Sequence, residues 1–123
     1  MSIELQEQID KLRYHVKMLA ESVDYREHPI PALVIQMDWD DSDLNRAHDV
    51  FEKYDEKLEA GEAVNWHEFE HKLREEFSIG YQTVKSIIIA FYANHQWTNV
   101  CREYAKAYEC VEFHHITRGE GDL

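Results

Sequence analysis

A chain of 123 residues is the length of one domain, and it can bury a core without disulfide or metal staples. Four Gly and two Pro leave few turns, which argues against an all-β fold. The formal charge of −12 repels phosphate backbones and so argues against nucleic acid as a ligand, and two cysteines build no disulfide framework.

The opening residues, Met1-Ser2-Ile3-Glu4, carry neither the basic nor the apolar region of a secretory signal, so a cytoplasmic protein with reduced thiols is expected. Ser2 suits the N-cap of a first helix. Leu5, Ile9, Leu12, Val16, Leu19 and Val23 then alternate steps of four and three, the period of a coiled-coil seam. β-Branched a positions with Leu at d fit two strands. The flanking positions (Gln6, Gln8, Ala20, Ser22, with Arg13 and His15 lacking acidic partners) instead fit a wider interface such as a trimer or a bundle. The opposite side carries Tyr14, Met18 and Tyr25. A helix with two apolar stripes touches two things, the chain's own apolar hub and a sister chain, and the expectation is self-association as a dimer or trimer through Leu5, Ile9, Leu12, Tyr14, Val16, Met18, Leu19 and Val23. The competing reading is an ordinary bundle helix with scattered exposed aromatics.

His28-Pro29-Ile30-Pro31 is expected to end that helix, because a residue before Pro avoids the α region. Pro31 then opens a short helix, Ala32 to Met37. Ser42 is the expected cap of a third helix, Asp43 to Ala60, with a Leu44, Ala47, Phe51, Tyr54 and Leu58 stripe and Gly61 as its left-handed stop. Asn65 and Glu68 make a capping-box variant for a fourth helix, whose stripe is Trp66, Phe69, Leu73 and Phe77. Positions 38–76 carry fourteen Asp/Glu against five Lys/Arg. Such a surface suits solubility, a basic protein partner or metal ions.

From Ser78 to Cys101 the only formal charge is Lys85. At 100° per residue Tyr81, Val84, Ile87, Ile88, Phe91 and Tyr92 fall on one arc with His95, while Ser86, Ala90 and Ala93 make a small-residue far side. A helix apolar or small nearly all round is a buried one. An all-α bundle of five or six helices around residues 84–93 is therefore expected. The stretch is too rich in Gln82, Asn94, His95 and Gln96 to span a bilayer. A last helix follows, capped by Thr98 or Asn99, with Val100, Tyr104, Ala107, Tyr108 and Val111 as its stripe. Positions 1–117 read as a single helical domain and 118–123 as a disordered tail.

Three constellations could carry chemistry. His67-Glu68-Phe69-Glu70-His71 fits the H-E-x-x-H pattern, in which two histidines four apart bind zinc and the Glu acts as base. Against it, Glu68 already serves the cap, both histidines point away from the apolar stripe, and no third ligand follows. A metal-dependent hydrolase using His67, Glu68 and His71 is thus the alternative to a non-enzymatic protein without cofactor. Two acidic loops have the cadence of calcium hands but fail in their ligands. Counting from Asp55, Lys57 and Ala60 stand where a carboxylate and Gly belong; in the run from Asp38, Asp43 replaces the turn Gly. Cys101, Cys110, His114 and His115 lack the C-x-x-C partner of structural zinc.

Ile9-Asp10-Lys11-Leu12 with Tyr14, the His28–Pro31 break, Asn65-Trp66-His67-Glu68-Phe69 and Ile87-Ile88-Ile89-Ala90-Phe91-Tyr92 together resemble the YhaI family of small Bacillus proteins across essentially the whole chain. The resemblance implies an all-α, cytoplasmic, self-associating protein without assigned function, and supplies no catalytic residues.

Overall fold

The computed structural model describes residues 2–119. Among them the regular elements are all helical and no strand occurs. The α-helices are α1 (Ile3–Glu21), α2 (Pro29–Met37), α3 (Asp41–Glu59), α4 (Trp66–Phe77), α5 (Tyr81–Ala93) and α6 (Thr98–Ala107). A 3-10 turn at Val111–Phe113 and a π-helical turn at His115–Gly119 follow. Of the expected tail, 120–123 lie outside the described residues, and Arg118 pairs with Glu109 at 2.7 Å.

Local chemistry sets these boundaries. The Ser2 hydroxyl accepts from the Leu5 N–H at 3.1 Å and starts α1. The helix stops at Glu21, earlier than the proline break predicts. Ser22 Oγ donates to the Leu19 carbonyl at 2.8 Å, and the Ser22 and Val23 N–H groups turn back to Leu19 and Ala20, so the last turn closes on itself. Val23 and Tyr25 therefore lie on a linker. Pro29, not Pro31, takes the first position of α2, where its missing N–H costs nothing. The cap of α3 is Asp40 rather than Ser42. The Asp40 carboxylate accepts from the Asp43 N–H at 2.8 Å and Asp43 accepts from the Asp40 N–H at 3.0 Å, a reciprocal pair that Ser42 cannot complete. Gly61 terminates the helix at φ +75°, as its lack of a Cβ suits. Asn65 caps α4 by accepting from the Glu68 N–H at 3.1 Å. The Glu68 side chain stands against the Tyr54 hydroxyl, whose pKa is raised first by burial and then by that carboxylate.

The core forms where α3, α4, α5 and α6 meet. Phe51, Tyr54, Phe69, Leu73, Val84, Ile87, Ile88, Phe91, Val100, Cys101 and Tyr104 are buried there. Phe69 is held by Phe51 (ring centroids 5.3 Å apart, edge to face), Tyr54 (5.0 Å) and Tyr104 (5.5 Å), geometries that satisfy the ring quadrupoles. α5 packs against α2, α4 and α6, and α3 packs against α4 and α6. Trp97 Nε1 donates to His48 Nδ1 at 3.0 Å and ties the α5–α6 turn to α3.

Two expectations near the C-terminus are corrected. His95 is not a core histidine: α5 ends at Ala93, and His95 sits exposed in the turn at φ 58°. The stripe of α6 does not reach Val111, because the helix stops at Ala107. Cys101 and Ala105 are buried with Val100 and Tyr104, whereas Ala107 and Val111 are exposed. Cys110 consequently stands off the helix that carries Cys101, and both thiols are free.

Candidate functional site: an uncovered helix beside an open groove

The first helix does not pack on the apolar hub as its second stripe predicts: α1 buries none of its residues and makes at most marginal contact with any other element. On its seam Leu12, Val16 and Leu19 are 62%, 56% and 67% exposed, Leu5 is exposed, and Ile9 is half-buried. Val23, at the end of the seam, is half-buried on the linker, and Tyr14 and Met18 are exposed on the other side. The expected interface residues thus fall on two sides of the helix, and among the described residues neither side is buried. Helices in proteins gain most of their stability from packing, which this helix of 19 residues largely lacks. Covering a half-exposed Leu or Val is worth about 1 kcal/mol each, so this seam is a substantial unused driving force. Along the helix Glu4, Glu7 and Asp10 precede Lys11, Arg13 and Lys17, and Glu21 closes it.

Beyond the linker opens a groove of about 810 Å³ between α2 and α5. α2 contributes Pro29, Ala32, Leu33 and Gln36, and α5 contributes Ser86, Ile89, Ala90, Tyr92 and Ala93. The α2 set and, Tyr92 aside, the α5 set are spaced i, i+3, i+4, i+7, one helical face. The α5 wall was visible in the sequence as the small-residue side of the apolar stretch. The α2 wall was missed, although the same spacing is present in Pro29–Gln36. Tyr25, Arg26, His95 and His115 also line the groove, and among the described residues no carboxylate does, in a chain with 25 Asp and Glu.

A second group surrounds Lys85. Its Nζ donates to Glu112 Oε2 at 2.9 Å and lies 4.7 Å from the Tyr81 ring centroid. The hydrogen bond to Glu112 raises the Lys85 pKa, and the same bond, followed by one from the Cys110 thiol, lowers that of Glu112. The lone charge in the apolar stretch was the sequence signal for this pair. Its geometry is that of a clasp between α5 and the 3-10 turn.

The zinc-like constellation is not brought together. His67 and His71 are exposed, and His71 Nε2 meets Glu75 at 2.9 Å. Among the described residues no group of three His, Cys, Asp or Glu side chains is arranged to hold a metal ion, and no helix is long and apolar enough to cross a membrane.

The model of a family described as a protein of unknown function, DUF1878, matches residues 3–109. The chain belongs to the DUF1878 family. No curated protein and no solved structure matches it. The DUF1878 match spans α1 to α6, so the uncovered helix and both walls of the groove lie within it.

Proposed function

We propose that this DUF1878 protein is a non-enzymatic, self-associating protein-interaction module of the cytoplasm, with α1 as its interface and α5 as the axis of its bundle. One observation carries the reading: α1 presents Leu5, Leu12, Val16 and Leu19 of a coiled-coil period to solvent, and none of its residues is buried by the described chain. Large contiguous exposed apolar faces on soluble proteins mark interaction sites, whereas scattered apolar residues do not. The burial of Val84, Ile87, Ile88 and Phe91 supports α5 as the axis. The acidic charge of α3 and α4 keeps the assembly soluble and offers a face to a basic protein partner. The likeness to the YhaI family accords with this reading, and the neutral flanks of the seam favour a trimer slightly over a dimer.

Sedimentation velocity across a concentration range tests the proposal. An oligomer at tens of micromolar, dissociating on dilution, is the expected result, with affinity on the order of −6 to −8 kcal/mol. A monomer throughout that range overturns it.

A further inference from the structure

We propose that the groove between α2 and α5 binds a small amphipathic anion, a medium-chain carboxylate whose alkyl chain lies along the floor and whose head meets the basic rim. The proposal is independent of what covers α1.

Size, lining and charge carry it. At about 810 Å³ the groove has the volume of a small-molecule site. Its floor is made of the buried residues Pro29, Leu33, Ala90 and Tyr92. The α2 wall runs from Pro29 to Gln36, about 10 Å at the helical rise, so the apolar lane suits a chain laid along it. The polar groups stand at the rim. Arg26, His95 and His115 are exposed there, and each carries N–H groups that donate to an anion. The His115 ring is set against the floor, meeting Tyr92 edge to face at 6.0 Å between centroids. Arg46, Arg74 and Arg118 form ion pairs among the described residues, whereas the Arg26 guanidinium forms none. Asp24 is turned onto the Arg26 backbone N–H at 2.8 Å, and neither it nor Glu27 lines the groove. A chain of formal charge −12 repels anions at long range, so a basic rim without a described carboxylate is a local inversion of the molecule's field. That inversion selects an anionic head over a cationic one, and the floor supplies the affinity for the chain.

Isothermal titration calorimetry on the full-length protein tests it, with decanoate as the probe and octanoate, decanol and decyltrimethylammonium for comparison. Decanoate is expected to bind saturably and one-to-one, about tenfold tighter than octanoate because two more methylenes are buried. It should also bind at least tenfold tighter than the cation of equal chain length. Ala93→Trp, at an exposed position lining the groove, is expected to abolish binding. Circular dichroism confirms that the variant is folded, and Gln36→Trp blocks the opposite wall should Ala93→Trp lose helicity. Arg26→Gln is expected to weaken decanoate several-fold and leave decanol unchanged, which separates a head contact from damage to the groove. Leu12→Glu/Val16→Glu, on the exposed seam of α1, should leave decanoate binding as it is. The proposal is overturned if decanoate does not bind, if the cation binds as tightly, or if the α1 variant abolishes binding while the groove variants retain it. If no probe binds and Ala93→Trp instead dissociates a wild-type oligomer in sedimentation, a second copy fills the groove and the proposal falls. Self-association through α1 stands or falls on the concentration series above, whatever the probes do.

Discussion

Lys85 Nζ and Glu112 Oε2 stand 2.9 Å apart and join α5 to the turn that follows α6. The contact raises the Lys85 pKa above its ordinary 10.5 and lowers that of Glu112 below 4.5. A raised cation contributes stability at every pH below its unfolded value and loses it as pH climbs through the folded value. A lowered carboxyl contributes above its unfolded value and loses it as pH falls through the folded one. The clasp is therefore at full strength between about pH 4.5 and 10.5 and fades outside that window. Glu112→Gln is expected to lower the Tm at pH 7 and to match the wild type more closely as the pH falls to 3. An undiminished gap at low pH would show that the glutamate acts by packing.

Tyr104 is fully buried, and its hydroxyl has no hydrogen-bond partner among the described residues. Burial is the first cause of its raised pKa, followed by the charge of Glu70. A buried hydroxyl that makes no bond contributes only its desolvation cost, so Tyr104→Phe should leave stability unchanged or raise it by up to about 1 kcal/mol in chemical denaturation. A loss of more than about 1 kcal/mol would mean that the hydroxyl is bonded in solution.

The two thiols should separate cleanly. Cys101 is buried, and that burial pushes its pKa well up, so its nucleophilic thiolate is suppressed. Cys110 is half-buried and lies off the helix. One equivalent of an aromatic disulfide reagent should react in the native protein, abolished by Cys110→Ala, with the second thiol appearing only on unfolding. Rapid reaction of both thiols at the native state's full concentration would show that the α3–α6 core opens readily.

His67 and His71 provide a direct test of the rival hydrolase reading. With His71 paired to Glu75 and both histidines exposed, stoichiometric zinc is not expected in protein purified without a metal-affinity tag. Elemental analysis of the wild type and of His71→Ala checks this. One zinc per chain, lost in the variant, would restore the metal-dependent reading.

Much of this fold is legible in local chemistry. The four-three step from Leu5 to Leu19, the Asn65 cap and the Gly61 stop involve residues a few positions apart, and local physics suffices for them. Two of the errors fall where two local signals compete. Ser22 closes α1 before the proline rule applies, and Asp40 outbids Ser42 because its reciprocal partner Asp43 is three residues on. The groove was half legible for another reason. Its walls are far apart in sequence, and only the packing of α2 on α5 makes their two faces one surface. The uncovered state of α1 was likewise beyond periodicity, which identifies an apolar face but not what covers it.

Hydrogen exchange along α1 tests the central claim most directly, because a helix stabilised by another copy is protected only while that copy is bound. The account predicts slow exchange of the Leu5–Leu19 amides at high protein concentration and loss of that protection on dilution, with the amides of α5 unchanged. Protection of α1 that is equal at all concentrations, or absent at every one, would contradict it.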